Sequence, residues 1–183
     1  MIEISLLSGE LIFTTLWLLC RGILWLRQKK IVWKREAVLL LMFVNLAVLI
    51  RFVFYPFFTV NGHVRPLMIN LSGIQPIRIN LIPFVHILDY DNQREAAINI
   101  IGNISMFIPT GSILPILYPR LDRFWKVLLA GAGLSLVIEM LQLLLPGNVS
   151  DIDDLILNTA GVAIGYGIDK LARRKATFGF VSV

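Results

Sequence analysis

Five apolar stretches, each long enough to cross a lipid bilayer, constrain this 183-residue chain more than any other feature. A transmembrane helix needs about 20 mostly apolar residues to cross a hydrocarbon core about 30 Å thick. The mean hydropathy of +0.77 excludes an ordinary soluble domain. The sequence therefore predicts an all-α membrane protein, a polytopic bundle of about five transmembrane helices in a single integral membrane domain over residues 1–183. The stretches cover approximately residues 4–26, 37–58, 96–117, 127–145 and 154–171.

The basic residues predict the orientation of the bundle. Clusters of lysine and arginine lie at residues 27–35, 120–126 and 170–175, all on one side if there are five spans. Because such clusters stay in the cytoplasm, we expect the N-terminus outside and the C-terminus inside. The basic residues on the cytoplasmic side then explain the pI of 9.7, and no nucleic-acid partner is needed to account for it. We expect anionic membrane lipids to balance their positive charge.

Residues 66–88 are a candidate sixth span, but their composition argues against it. Pro66, Pro76 and Pro83 interrupt the segment, and polar side chains lie among them. A sixth span would also move the two later basic clusters outside. We expect an extracytoplasmic segment, re-entrant or interfacial, between the second and third helices. The alternation in "IRINL" at residues 77–81 allows a short extended piece there.

Cysteine and histidine give little indication of a cofactor. Cys20 is the one cysteine, so no intramolecular disulfide can form. His63 and His86, both in the outer loop, do not make a convincing metal site, and we expect no metal or cofactor. A secretory leader begins with basic residues, whereas this chain has Glu3 and Glu10 near its start. We therefore expect the first apolar stretch to be retained as a helix.

Polar side chains inside four of the stretches are predicted to meet near the outer surface. Such groups are costly in lipid and are expected to line a cavity or to pair internally. Glu139 and Gln142 share a helix face by their spacing, as do Asn99 and Asn103. Asn158 and Arg51 lie at matching depths, whereas the inner halves hold no comparable collection. The pattern predicts a polar pocket that opens outward.

Three aspartates precede the last stretch in "SDIDDLILNTAG" at residues 150–161. Ser150 and Asp153 have the spacing of a capping box, and acidic residues are favourable at a helix N-terminus. Alternatively, the carboxylates could receive a cationic group, a metal ion or an arginine such as Arg78. Asp154 is expected to point inward, because Asn158 follows it at i+4.

Several features allow a purely structural interpretation. Glu139 could be a buried carboxylate that is protonated or neutralised by Arg51 or Arg78. Pro109, together with Pro115, predicts a kink in the third helix, although proline is common in membrane helices. The GxxxG pair at residues 161 and 165 could serve an internal helix contact or a homo-oligomer.

Four sequence motifs together resemble the VanZ-like membrane proteins. They are "NLIPF" at 80–84, "NIIGNISMFIPTG" at 99–111, "IEMLQ" at 138–142 and "SDIDDLILNTAGVAIGYG" at 150–167. Their order and spacing cover about residues 80–167, about half of the chain, whereas the first two stretches match only in general character. One departure is Asn148, where many relatives carry an arginine. The role of that cation is therefore absent here or passes to another arginine.

The resemblance implies a multi-pass protein of the bacterial plasma membrane. The family's namesake is linked to teicoplanin resistance, and the resemblance implies no established reaction. The polar motif positions that it carries over are Asn80, Asn99, Glu139, Gln142, Asp151, Asp154 and Asn158. With Arg51, Arg78 and Asn103 from the depth and charge arguments, they form the predicted ligand-binding set.

Three functions are compatible with this set. The first is a binding protein whose outward pocket engages a cell-envelope component, such as a lipid-linked wall precursor or a lipoglycopeptide, and lowers glycopeptide susceptibility. The second is a membrane enzyme that modifies an envelope lipid or lipid-linked wall precursor, with Glu139 or Asp154 as acid or base and Arg78 or Arg51 binding a phosphate. The third, a transporter, would need polar groups in the inner leaflet, where few are found.

Overall fold

Five α-helices make up most of the computed structural model, which describes residues 2–28, 31–55, 64–69, 78–84, 93–145 and 149–179. Within these ranges, the long apolar runs form helices, because each helix satisfies its own backbone hydrogen bonds. The predicted class, an all-α membrane protein, is confirmed. The helices are α1 (Leu6–Gln28), α2 (Trp33–Phe54), α3 (Gln93–Leu117), α4 (Phe124–Gln142) and α5 (Ile152–Gly179).

Helices α1 to α4 are each long and apolar enough to cross a membrane. Helix α5 occupies the fifth predicted stretch but is less apolar, since it carries Asp153 and Asp154 at one end and Asp169 and Lys170 near the other. Its crossing of the membrane stays a prediction. Helix α4 spans Phe124–Gln142, so the fourth predicted stretch, 127–145, began and ended three residues too late.

The chain forms two compact units, the first of which comprises residues 1–78 and 140–149. Within it, α1 packs on α2, and the Phe13 and Phe43 rings stack with centroids 5.3 Å apart. The Arg21 guanidinium forms a two-pronged ion pair with Glu36 across the same pair of helices. Strand β1 (Ile2–Ile4) pairs antiparallel with β2 (Leu67–Ile69), which lies in the predicted extracytoplasmic segment.

The second unit comprises residues 79–139 and 150–183, and its main contact joins α3 to α5. A side chain at Gly161 would meet the carbonyl oxygen of Ile104, and one at Gly165 would meet that of Ile108. Because neither position has room for a Cβ atom, the two glycines allow the two backbones to approach closely. The GxxxG pair therefore serves an internal helix contact.

The Ser112 hydroxyl adds a polar link to this α3–α5 contact. It donates to the Gly165 carbonyl at 2.9 Å and lies 3.2 Å from the Ile108 carbonyl of its own helix. Helix α3 continues through Pro109 and Pro115, and the predicted kink stays a prediction. At one end of this unit, Lys170 donates to Asp122 at 2.6 Å, just after the short 3₁₀ helix Pro119–Leu121.

A short parallel strand pair lies at the other end of the second unit. Strand β3 (Ile79–Asn80) pairs with β4 (Ser150–Asp151), so that Ile79 faces Ser150 and Asn80 faces Asp151. The extended piece expected from "IRINL" is thus present. The remainder of the predicted re-entrant segment, at 70–77 and 85–88, lies outside the described residues. The β3–β4 pair therefore places Asn80 next to the aspartates of the α5 N-terminus.

Candidate functional site

Glu139 lies at the centre of a polar cluster formed where α4 ends and α5 begins. Only 3% of its surface is exposed. One carboxylate oxygen, Oε2, accepts from the Ser150 hydroxyl at 3.0 Å and from the Asp151 main-chain N–H at 3.1 Å. Glu139 was expected two turns inside the fourth span, but it lies in the last turn of α4. It can therefore reach the segment that enters α5.

Asp151 links the strand pair to the helix. Its Oδ1 accepts from the Asp153 main-chain N–H at 3.0 Å and from the Asn80 side-chain amide at 3.2 Å. Asp151 immediately precedes α5, and a bond to the N–H two residues later is the N-cap interaction. The predicted capping box on Ser150 was therefore wrong, because the Ser150 hydroxyl donates to Glu139 instead.

Asp153 holds the chain after β3 in a strained conformation. Its Oδ1 accepts from the Phe84 main-chain N–H at 2.7 Å, and Phe84 has a φ of 66°. A bulky residue with positive φ is costly and persists where surrounding contacts fix it. The other oxygen of Asp153 is buried without a hydrogen-bond partner among the described residues. This bond was missed from the sequence, which assigned Asp153 to the capping of the helix N-terminus or to a carboxylate group that could receive a cation.

Asp154 faces α3. Its Oδ1 accepts from the Asn103 side-chain amide at 2.5 Å, and the same amide lies 3.4 Å from the Asn99 oxygen. Asn99 and Asn103 thus share a helix face. The Asp154 carboxylate also interacts electrostatically with Glu139, Asp151 and Asp153, so the four acids form one electrostatic group.

Asn158 lies one turn deeper in α5 and is 4% exposed. Its side-chain amide donates to the hydroxyl of Ser135 in α4 at 2.9 Å. Its oxygen is buried and has no partner in the described part of the chain. Ser135, which is fully buried, was not predicted as a site residue, because a single serine in an apolar helix carries no distinctive signal.

Three predicted site residues belong to the first unit. Arg51 donates to the main-chain oxygen of Tyr55 at 3.4 Å, and Gln142 donates to that of Val53 at 3.3 Å. Arg78 is exposed. Among the described residues, Glu139 is held by neutral donors and forms no ion pair with Arg51 or Arg78. The remaining seven predicted residues all belong to the second unit: Asn80, Asn99, Asn103, Glu139, Asp151, Asp154 and Asn158.

We define the acid cluster as Glu139, Asp151, Asp153 and Asp154. Like charges in a partly buried site repel one another, so such a group favours a bound cation, a proton or added hydrogen-bond donors. The N-terminus of α5 supplies a compensating positive field. Within the described ranges, no three histidine, cysteine, aspartate or glutamate side chains are arranged to hold a metal ion. His63 and His86 lie outside those ranges.

Two carboxylate oxygens of the acid cluster can accept hydrogen bonds from a ligand. Glu139 uses Oε2 and Asp154 uses Oδ1 for internal bonds. In the described part of the chain, Glu139 Oε1 and Asp154 Oδ2 accept no hydrogen bond. Each carboxylate is therefore oriented by one oxygen while the other can accept from a ligand.

An apolar cavity of about 250 Å³ lies in the first unit. Its walls come from α1, α2, Tyr55, β1, β2, Leu141, Leu144 and Leu145, and none of the ten predicted site residues lines it. The predicted polar pocket and this cavity are therefore different features.

A family model described as VanZ/LLP1 matches residues 39–173. The match begins in α2 and covers α3, α4 and the acid cluster. Comparison with curated proteins and with solved structures gave no match. Because the matched range is well over half of the chain, the chain belongs to the VanZ/LLP1 family.

Proposed function

We propose that this member of the VanZ/LLP1 family binds a cell-envelope component at the acid cluster, on the outer face of the bacterial plasma membrane. By holding that component, it would lower susceptibility to glycopeptide or lipoglycopeptide antibiotics such as teicoplanin, because the drug loses access to its target. The resistance link comes from the family resemblance. The location on the outer face comes from the predicted orientation, in which α4 ends and α5 begins outside.

One observation carries the binding part of the proposal. Glu139 and Asp154 are each fixed by an internal hydrogen bond through one oxygen, while the second oxygen has no partner among the described residues. Fixed acceptors lose little conformational freedom when a ligand binds. A buried glutamate that served only to join helices would be expected to use both oxygens internally.

The chemistry of the acid cluster defines the ligand. Carboxylates accept hydrogen bonds, so the bound group should carry an ammonium or several N–H and O–H donors. Bonds to a charged acceptor contribute about 1.5–3 kcal/mol each. A lipid-linked wall precursor and a lipoglycopeptide both carry amide and hydroxyl donors, which fit this requirement.

The test is a complementation experiment in a strain that lacks the gene. The wild-type gene, Glu139→Gln, Asp154→Asn and Glu95→Gln are expressed at equal membrane levels, and teicoplanin susceptibility is measured. Glu95→Gln is the matched control, because Glu95 is exposed at the start of α3. We expect wild type and Glu95→Gln to restore protection, whereas the two cluster variants fail. Equal protection by all four proteins would refute the proposal.

A membrane enzyme that acts on an envelope lipid or a lipid-linked wall precursor is the second candidate. The observation that favours it is the electrostatic coupling of Asp154 to Glu139, since neighbouring carboxylates can divide acid and base roles. Turnover of a lipid-linked substrate by the purified protein, lost in Glu139→Gln, would select this candidate. Stoichiometric binding without product would select the binding protein.

A further inference from the structure

Polar side chains of α4 and α5 lie at two levels of one groove, the α4–α5 groove. At the lower level, the Asn158 amide donates to the Ser135 hydroxyl at 2.9 Å and joins the two helices. Four residues further along α4 is Glu139, and four residues before Asn158 in α5 is Asp154. The α4 end and the α5 start lie together, since Glu139 accepts from Ser150. Because residues four apart share a helix face, Glu139 and Asp154 border the groove one turn above the Asn158–Ser135 bond.

Three side-chain oxygens along this groove accept no hydrogen bond within the described part of the chain. Two are carboxylate oxygens, Glu139 Oε1 and Asp154 Oδ2, whose companion oxygens bond internally. The third is Asn158 Oδ1, which belongs to a side chain only 4% exposed. Buried amide oxygens in proteins are normally paired with a donor. The Asn158 oxygen therefore indicates, independently of the acid cluster, a donor that comes from outside the chain.

The charges of the groove favour a cation over a neutral donor. Glu139 and Asp154 repel each other electrostatically. Their hydrogen-bond donors are Ser150, the Asp151 main chain and Asn103, and none of these donors is positively charged. In the ranges that the structure describes, neither carboxylate forms an ion pair with lysine or arginine. An amide or hydroxyl would supply a donor but leave the repulsion, whereas a positive group supplies a donor and reduces the repulsion.

The free acceptors match a primary ammonium group in number. Such a group carries one positive charge and three N–H donors, one for each oxygen. A guanidinium is planar and suits the two oxygens of a single carboxylate better than acceptors on two helices. A trimethylammonium has the same charge as a primary ammonium but no N–H donor, so it could not donate to Asn158.

We propose that the α4–α5 groove binds a primary ammonium group, which donates to Glu139 Oε1, Asp154 Oδ2 and Asn158 Oδ1. This inference rests on the proposed function, because it names the chemical class of the component that the acid cluster binds. A lipid headgroup and the lysine side chain of a peptide both present this group, and the experiment distinguishes them.

The experiment compares each primary ammonium with its trimethylated counterpart on the wild-type protein. Retention by the full-length protein in detergent is measured by native mass spectrometry. The lipid pair is phosphatidylethanolamine and phosphatidylcholine with the same acyl chains. The peptide pair is an N-acetylated peptide with one lysine and the same peptide with trimethyl-lysine. The members of each pair carry the same charge, so that a difference reports the N–H donors and the size of the head.

We expect the wild type to retain one primary-ammonium probe about tenfold more strongly than its trimethylated counterpart, the difference expected for one charge-assisted hydrogen bond. The pair that shows this preference identifies a lipid or a peptide as the source of the group. Equal retention within both pairs, or no retention of either primary-ammonium probe, would overturn the proposal. This comparison does not depend on the folding of any variant.

Substitutions at Asn158 test the third acceptor. Asn158→Leu removes the buried oxygen and keeps both carboxylates, and Asn158→Asp keeps an acceptor oxygen at the same position. Thr159→Val is the matched control, since the Thr159 hydroxyl bonds the Leu155 carbonyl of its own helix at 2.6 Å. We expect Asn158→Leu to lose the preference for the primary ammonium, and Asn158→Asp and Thr159→Val to keep it. Loss of the preference in Asn158→Asp as well would contradict a contact through the oxygen.

Failure of this inference can be distinguished from failure of the proposed function. The proposed function requires that Glu139→Gln and Asp154→Asn lose teicoplanin protection, whatever group is bound. If they lose protection while the wild type does not discriminate within either probe pair, the binding role stands and the ammonium site is wrong. If the wild type prefers a primary ammonium while both variants still protect, the ammonium site stands and the role in resistance is wrong.

Discussion

Replacing Gly165 by alanine tests the helix contact that positions the acid cluster. The added methyl would meet the Ile108 carbonyl oxygen, with the carbonyl carbon at 2.9 Å and the Ser112 nitrogen at 3.0 Å. These are backbone atoms, so α3 and α5 must separate. Overpacking of this kind costs about 1–3 kcal/mol. Separation also weakens the 2.9 Å bond from Ser112 to Gly165, which adds about 1 kcal/mol.

Gly167→Ala provides the matched control, two residues away on the same helix. A Cβ atom at Gly167 meets nothing within 4 Å. Alanine inside a helix is favoured over glycine by about 0.5–1 kcal/mol, so this variant should be neutral or slightly more stable. The two variants should therefore differ by at least about 2 kcal/mol, which is roughly thirtyfold in the ratio of folded to unfolded protein.

The assay is reversible unfolding in mixed micelles, followed by circular dichroism as the denaturing detergent fraction increases. The free energy of unfolding should decrease for Gly165→Ala and stay constant or increase for Gly167→Ala. If both variants changed the free energy of unfolding by the same amount, the close α3–α5 contact through the GxxxG pair would be refuted.

Three further predictions concern the site and the topology. Ser150→Ala should destabilise the protein by about 1 kcal/mol, because Glu139 loses a buried hydrogen-bond donor; an unchanged unfolding midpoint would contradict this. Phe84→Gly should raise the free energy of unfolding by about 1 kcal/mol in the same assay, since glycine tolerates the φ of 66°; a decrease would show that the phenylalanine side chain outweighs the strain. In a Cys20→Ser background, a membrane-impermeant thiol reagent should label Ile82→Cys but not Arg123→Cys in intact cells, and the reverse pattern would refute the predicted orientation.

The helices could be predicted from the sequence because hydropathy reports directly on the length that must cross the bilayer. The end of α4 was missed because residues 143–145 are as apolar as the helix before them. Pro146 was the available signal, since a residue before proline is disfavoured in the helical conformation. The less apolar character of α5 arises from the same acids and amides that form the site.

The site was predictable in part. Spacing placed Asn99 with Asn103, because residues four apart share a helix face. It could not identify the Asn80–Asp151 bond, which joins residues 71 positions apart through the β3–β4 pair. The position of a residue along a helix gives its height in the membrane, but it does not give the direction in which the side chain points. For that reason depth grouped Arg51 with the acid cluster, whereas Arg51 donates to a main-chain oxygen of the first unit. Spacing from Glu139 likewise grouped Gln142 with the cluster, whereas Gln142 donates to the main-chain oxygen of Val53.

Identifying what the protein retains when it is purified in native-lipid particles tests the central claim most directly. Mass spectrometry of wild type, Glu139→Gln and Glu95→Gln would compare the bound molecules. We predict that an envelope component with amine, amide or hydroxyl donors is bound to wild type and Glu95→Gln and is absent from Glu139→Gln. The same bound molecules in all three proteins would contradict a ligand-binding role for the acid cluster.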